Sequence, residues 1–262
     1  MATVEKIGTM IINKKYFDKY MQIIGQQIPD LIEQFDFSEM TISLDYLTKA
    51  SAVYSSNIEG NTIDLNSYMN YQMNKEKLKK GKELREIEDL VAAYQYAQNN
   101  FLSEVNFLKV HSILSKTFLI KSKQGKYRIE QIGVFDKGGM VYLAVEPEFV
   151  TQEMTTFFAD IQKLLNENLS AEEVFYYASF IHLRLAHIHP FSDGNGRVAR
   201  LLEKWFIAEK NGKQFWLIPS ENYYKVHQTE YYNTINIGVN YYTLDYDKCI
   251  DFLQMLPNCL KN

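Results

Sequence analysis

Glycine and proline are the residues this chain has least use for: its 262 residues hold twelve Gly and five Pro, where average usage would supply roughly 31 of the two together. Both residues break helices and mark turns. Their scarcity excludes a collagen-like chain, a low-complexity chain and a many-turned all-β fold, and calls for long helices with few loops. Cysteine is scarcer still. Cys249 and Cys259 cannot frame a disulfide scaffold and fit a reduced, cytoplasmic setting. No stretch reaches 18 apolar residues, and the start, MATVEKIGTM, has no basic segment leading into an apolar run. Neither a membrane span nor a signal peptide is expected. An excess of positive charge is also missing. Lys and Arg number 28 against 32 Asp and Glu, a formal charge of −4 that favours neither nucleic acid nor an anionic membrane. The one dense basic run, Lys75 to Lys82, reads as a solvated helix end or loop. We find no internal repeat and no linker rich in Gly, Ser or Pro. The absence of a G-x-x-x-x-G-K-[ST] loop and of a glycine-rich kinase loop sets aside ordinary NTPases and kinases.

What is present is a chain able to fold, with 46% hydrophobic and 14% aromatic residues. Its length suits one large domain or two small ones, and disorder is excluded by composition. Two short helical stretches separated near Pro29 are expected within residues 1–40. From Ser43 the periodicity is clearer: Leu47, Ala50, Tyr54 and Ile58 recur at helical spacing, with Gly60 as a stop. Leu84, Ile87, Val91 and Tyr94 mark another amphipathic face, and Leu108, His111 or Leu114, and Phe118 continue the style. Residues 127–145 break the pattern. YRIEQIGVF and MVYLAV flank Asp136-Lys137-Gly138-Gly139 and predict a β-hairpin with a glycine turn. Helix resumes at Ser170, where Ser170 and Glu173 match a capping box and Leu169 and Val174 a hydrophobic staple. The next helix carries Val198, Leu201, Leu202 and Trp205 and ends at Asn211-Gly212. The fold class expected is mainly α, with one hairpin.

Between those last two helices lies HPFSDGNG. Gly194, Asn195 and Gly196 fall at a helix start, where backbone N–H groups and the helix dipole form an anion nest. Arg197 and Arg200 stand three apart beside it, with guanidinium forks suited to phosphate oxygens. Asp193 offers a hard oxygen to Mg²⁺, which commonly takes one or two carboxylates plus substrate phosphates. His189 can act as a general base near neutral pH. A lone Gly-x-Gly is usually only a turn and a lone His usually a satisfied residue. So many chemically matched groups within twelve residues make a site for a Mg-nucleotide beside a proton acceptor. A zinc site from His182, His187, His189 and Asp193 matches no common ligand spacing.

HPFSDGNGRVAR resembles the signature of the Fic family, H-P-F-x-[D/E]-G-N-G-R-x-x-R, with every fixed position filled. The resemblance covers roughly residues 43–240 and draws on GKYR (Gly125 to Arg128) and the Tyr231-Tyr232 pair as well. It implies a helical bundle with one β-hairpin flap, and transfer of AMP from ATP to a Ser, Thr or Tyr hydroxyl of a target protein with release of pyrophosphate. His189 would then be the catalytic base, and Asp193 would hold the Mg²⁺. Gly194, Asn195 and Gly196 would cradle phosphates, with the Asn195 side chain assisting. Arg197 and Arg200 would bind the β- and γ-phosphates, Arg200 at the γ-phosphate. Phe191 would be a buried anchor and Pro190 would stiffen the turn, while Ser192 gets no role. Phosphate-transferring, Doc-like relatives carry Lys where this chain has Gly196, which argues for AMP. The hairpin would be a flap taking an extended target segment by strand pairing, at Ile132, Val134, Val141 and Leu143. Tyr232, and more weakly Asn240, would lie on the adenine side.

SSNIEG resembles the family's inhibitory motif, [S/T]-x-x-x-E-[G/N], at Ser55, Glu59 and Gly60. An acid in the last turn of a helix opposes the macrodipole, so a cation from elsewhere would offset its cost. The resemblance supplies that cation as Arg200 and makes Glu59 a brake acting in cis. The expected organisation is an N-terminal helical extension over 1–42, the Fic domain with its inhibitory helix over 43–240, and a C-terminal helical tail over 241–262. Two other readings stand beside AMP transfer. One is removal of AMP, alone or as a second activity, with Glu59 aligning a water; the other is a non-catalytic module that senses ATP. Family members often pair, so a homodimer is a further expectation. The tail after Asn240 is too short for the winged-helix DNA-binding domain that many long relatives carry, so no nucleic-acid partner is expected.

Overall fold

A computed structural model describes residues 13–35, 37, 44–74, 81–136 and 138–261. Lys75 to Lys80 of the basic run, Lys137 of the hairpin turn and residues 1–12, 36, 38–43 and 262 lie outside them. The elements in chain order are helices α1 (Phe17–Ile23), α2 (Ile28–Gln34), α3 (Leu44–Ile58), α4 (Leu65–Met73), α5 (Lys82–Gln98) and α6 (Glu104–Leu114). Strands β1 (Gly133–Asp136) and β2 (Gly139–Leu143) follow, then α7 (Pro147–Asn166), α8 (Ala171–Ile188), α9 (Asn195–Asn211), α10 (Ser220–Val226) and α11 (Gln228–Ile235). Two single-turn helices, α12 (Ile250–Leu253) and α13 (Met255–Asn258), close the described chain. One continuous apolar cluster runs from Tyr16 to Leu260, so extension, middle and tail share a core.

At the centre of that core α8 and α9 pack against each other. Almost every side chain of α8 is buried, from Val174 to Ile188. A helix apolar all round can only be an internal one, and the run FYYASFIHLRLAHI meets that condition apart from His182, Arg184 and His187. The capping box at its start is formed. Ser170 N–H donates to Glu173 Oε2 at 2.9 Å, and Glu173 N–H to Ser170 Oγ at 3.3 Å. The first two helices part at residues 24–27, just ahead of Pro29. It stands in the first turn of α2, where a missing N–H costs nothing. Helices α4, α7, α10 and α11 went unmarked in the periodicity. The twenty residues of α7 open at Pro147 and bury Val150, Met154, Phe157, Phe158, Ile161 and Leu164.

The hairpin is antiparallel, with Gly133 opposite Leu143, Val134 opposite Tyr142 and Phe135 opposite Met140. Two residues of β1 therefore face three of β2, and Val141 is the extra one, a bulge that twists the strand. The base of the hairpin is fastened to the end of α8. Tyr142 Oη donates to the His187 carbonyl at 2.7 Å. Arg128, buried, donates from Nε to the His189 carbonyl at 2.7 Å and from Nη2 to the Val145 carbonyl at 2.6 Å and the Ile188 carbonyl at 3.3 Å. Its own N–H reaches the Pro190 carbonyl at 2.9 Å. The last carbonyls of a helix have no partner within it, and a cation there also meets the negative end of the dipole. Arg128 supplies both. Arg128→Met should lower unfolding stability by about 3 kcal/mol, since it strands buried carbonyls. Arg128→Lys should recover only part, because an ammonium lacks the fork. Urea unfolding of the three proteins checks this, and a loss below about 1 kcal/mol in the Met variant would contradict it.

Candidate active site

His189 ends α8 as its C-cap with φ 51° and ψ 59°, the left-handed region. Its N–H donates to the Leu185 carbonyl at 2.9 Å, and its Nδ1 lies 3.3 Å from the Ala186 carbonyl. The reversal turns the imidazole out of the helix into a cleft of about 620 Å³. Burial lowers its pKa to about 4, with the nearby Arg128 charge adding to the shift against the Ala186 contact. At neutral pH the ring is therefore uncharged, the state a base requires.

The loop 189–194 is held from several sides. Phe191 is fully buried and its ring stacks on His111 with centroids 3.5 Å apart and planes 4° from parallel. The Asn195 side chain takes the Phe191 N–H at 2.9 Å and returns its own N–H to the Phe191 carbonyl at 2.8 Å. The amide oxygen and one of its two N–H donors are thus engaged with the loop, and Asn195 also lines the cleft. Gly194 is the N-cap of α9 at φ 84°, a conformation open to glycine. The first-turn N–H groups of α9, on Asn195, Gly196 and Arg197, have no acceptor within the helix. Asp193 is 54% exposed, with Oδ1 accepting from Gly194 N–H and 3.4 Å from Arg197 Nη2.

The two motif arginines diverge instead of sharing one face. Arg197 lies 3.8 Å above the Phe118 ring, has only long contacts to Glu86 (3.5 Å) and Asp193, and its buried Nε has no partner among the described residues. Arg200 is fully engaged. Nε donates to Ser55 Oγ at 2.9 Å, Nη2 to the Ser55 carbonyl at 3.0 Å and to Glu59 Oε1 at 2.7 Å, and Nη1 to Tyr231 Oη at 3.1 Å. Burial tends to raise the Glu59 pKa, but the Arg200 and Arg197 charges outweigh it and hold the carboxyl below its usual range.

Local structure explains how Glu59 gets there. Gly60 N–H bonds the Asn57 carbonyl and Asn61 N–H the Ser56 carbonyl, both at 3.1 Å. That is a Schellman ending with Glu59 as C-cap and Gly60, φ 92°, in the left-handed position. The acid is aimed by the turn, and Ser51, Ser55 and Glu59 follow one another at four-residue spacing. Opposite them on α9 stand Lys204, Arg200 and Gly196, also four apart. Lys204 Nζ reaches Ser51 Oγ at 2.9 Å and pairs with buried Glu221. A Cβ on Gly196 would fall 2.3 Å from Glu59 Oε1, so only glycine lets the carboxylate lie there. The last carbonyls of α3 are closed from α10 and α11: Lys225 reaches that of Asn57, and Gln228 and Tyr232 that of Ile58, at 2.9 to 3.2 Å.

Tyr232, 43% exposed, lines the cleft with Glu59, His189, Gly196 and Arg200. Tyr231 is a core residue whose hydroxyl also meets His182 Nε2 at 2.9 Å, with Glu203 3.1 Å beyond on Nδ1. Asn240 spends its side chain capping the turn at Tyr242 and Thr243. Of the flap residues, Val134 and the bulged Val141 line the cleft. Ile132 and Leu143 lie at the hairpin base, where Ile132 carbonyl accepts from Ala144 N–H and Leu143 N–H donates to the Val239 carbonyl. Pro190 is buried in the turn. Sequence reasoning gave no role to His111, Arg128, His182 or Lys204. A histidine and a lysine at core positions of helical periodicity were the available signal.

Among the described residues no group of three or more His, Cys, Asp or Glu could hold a metal. His187 instead bonds Tyr246 Oη at 3.0 Å and the Ile235 carbonyl at 2.8 Å. A single exposed carboxylate beside unspent N–H donors does suit a cation that arrives with phosphates, as Mg²⁺ does. Both cysteines are free and buried, and no described helix is long and apolar enough to cross a membrane.

Residues 101–207 match the model of the Fic/DOC family. The chain is 28% identical over 191 residues to protein adenylyltransferase fic-1 of Caenorhabditis briggsae, covering 69% of this chain and 34% of that protein. It is 29% identical over 199 residues to protein adenylyltransferase Fic of Culex quinquefasciatus, covering 71% and 36%. The chain thus spans about a third of the length of these curated relatives. Its fold is similar to that of a Fic family protein from Desulfovibrio desulfuricans G20, with TM-score 0.75, 21% identity, and 92% of this chain and 73% of that one covered. A Fic domain containing signaling protein from Bacteroides thetaiotaomicron VPI-5482 gives 0.66, 21%, 94% and 91%.

Burial lowers His111 and His189 to about 4 and His187 to about 3, each from 6.5. The unfolded chain binds these protons as pH falls through 6.5, while the folded chain resists until near 4. The histidine contribution to stability should therefore be lost between about pH 6.5 and 3. Urea unfolding at pH 7, 6 and 5 measures it, and a flat profile would mean that the histidines charge in the folded state.

Proposed function

We propose that this chain, whose residues 101–207 match the Fic/DOC family model, is a protein adenylyltransferase, moving AMP from ATP to a hydroxyl side chain of a target protein, with Glu59 as its internal brake. One observation carries the reading: a neutral His189, the open first turn of α9, Arg200 and Glu59 converge on one cleft of about 620 Å³, within the 300–1,000 Å³ usual for small-molecule sites. His189 takes the proton from the target hydroxyl. The oxygen attacks the α-phosphorus of ATP, the bond from that phosphorus to the bridging oxygen breaks, and pyrophosphate leaves. The N–H groups of Gly196 and its neighbours and the unspent donors of Arg197 receive phosphate oxygens as charge moves onto them, so catalysis is positioning plus electrostatic stabilisation. Asp193 would hold Mg²⁺, which when bound neutralises charge on the phosphates. Tyr232 offers the adenine a ring at the cleft wall. Val134 and Val141 border the cleft where an extended target segment would lie against the flap. We take the setting to be cytoplasmic, in keeping with two free thiols.

The brake follows from occupancy. Arg200, the expected partner of the γ-phosphate, already holds a carboxylate 2.7 Å away, and the same carboxylate covers Gly196. A second reading, removal of AMP with Glu59 aligning a water, draws on Glu59 and His189 lining one cleft. Glu59→Gly should raise label transfer from α-labelled ATP by at least tenfold, and His189→Ala in that background should return it to baseline. Equal, low labelling by the parent and Glu59→Gly would sink the brake. An AMP-modified substrate tested with the parent chain separates the two directions. In the Glu59→Gly enzyme the acid limb of kcat/KM should lie near pH 4, well below the 6.5 of a free imidazole. A limb at 6.5 would remove His189 from the role of buried base.

A further inference from the structure

The floor beneath the motif loop comes from α6 and the turn after it. A Cβ on Gly194 would meet Leu114 and Phe118 at 3.1 Å, and Phe118 also carries Arg197. His111 is the polar member of this floor and is fully buried. Gly125 N–H donates to its Nδ1 at 3.0 Å, so the ring proton is on Nε2, which donates to the Asp193 carbonyl at 3.0 Å. That carbonyl belongs to the same peptide plane as Gly194 N–H, and Gly194 N–H holds Asp193 Oδ1. A peptide plane is rigid, so fixing its oxygen from below aims its N–H above. Leucine would fill the floor as well, but it would donate nothing to the Asp193 carbonyl and accept nothing from Gly125.

We propose that His111 is a positioning residue for the Asp193 carboxylate, acting through the 193–194 peptide to present that side chain to the divalent cation bound with the nucleotide. The proposal rests on Asp193 being the cation ligand of the adenylyltransferase reading. The full chain carrying Glu59→Gly serves as parent. His111→Asn keeps an acceptor for Gly125 N–H but is too short to reach the Asp193 carbonyl. His111→Gln can reach it. Binding of a fluorescent, non-hydrolysable ATP analogue is titrated with Mg²⁺ and, separately, in EDTA. Amide exchange at residues 190–197 is followed in the ligand-free proteins.

His111→Asn should raise the Mg²⁺ concentration for half-maximal binding by roughly 10–100-fold, the usual cost of losing an outer-shell partner. Affinity in EDTA should stay within about twofold, and exchange at Gly194 should quicken. His111→Gln should recover most of both effects. Equal losses with and without Mg²⁺, or no rescue by Gln, would reduce His111 to loop packing and overturn the proposal. So would an unchanged Mg²⁺ requirement with unchanged Gly194 exchange. A parent that binds the analogue equally in Mg²⁺ and EDTA would overturn the cation-ligand reading of Asp193 itself. Gly194 exchange, read without any ligand, separates that failure from a failure of the His111 contact.

Discussion

Two helix ends meet in the short loop 189–194, and helix ends carry backbone groups that their own helix cannot satisfy. At the carbonyl end of α8, Arg128 and Tyr142 from the hairpin region close the carbonyls of Ile188 and His187, and Arg128 that of the cap His189. The N–H end of α9 is left open. That asymmetry is the constraint on which the site depends. The closed end fixes His189 in a left-handed conformation and points its ring outward, while the open end offers donors to an anion beside it. The largely buried character of α8 and α9 serves the same end, because a loop between two helices keeps its geometry only if neither can shift.

A second constraint is the burial of a guanidinium. Arg200 is deep in the core and could not stay charged there without partners. Ser55 supplies two of them from the neighbouring helix, Tyr231 one, and Glu59 the counter-charge. The arrangement makes Glu59 exchangeable in a way the others are not. It is the charged partner lining the cleft, it lies at a helix end where the dipole opposes it, and an anionic phosphate could replace it on the same donors. Ser55 and Tyr231 would keep the guanidinium in place through such an exchange.

The motif itself was legible because its chemistry is local. From His189 to Arg200 base, carboxylate, glycines and arginines are contiguous, and glycine marks the helix start in any tertiary context. The turn that carries Glu59 was legible for the same reason: Gly60 and the four-residue spacing from Ser55 to Glu59 are written in six consecutive residues. The hairpin was readable from its glycine turn and alternating β-prone residues, although the bulge at Val141 was not, since a bulge is a relation between two strands. Helix α7 was equally legible, since Val150, Met154, Phe157, Phe158, Ile161 and Leu164 recur at helical spacing on its buried face, and it went unread although its pattern is local.

The sequence by itself therefore determined a mainly helical chain, one hairpin, an anion nest beside a histidine, and an acid poised at a helix end. Tertiary structure decided what those groups face, with the pair of Glu59 and Arg200 the one contact that the family resemblance had named. His111 meets Asp193 across 82 positions, Arg128 meets His189 across 61, and Glu59 meets Arg200 across 141. It also turned Arg197 toward Phe118 and Arg200 toward α3, and committed the Asn195 amide to Phe191. The physical reason is that local order comes from short-range backbone and capping preferences. The partner of a buried polar group is chosen by whichever distant element the core brings against it.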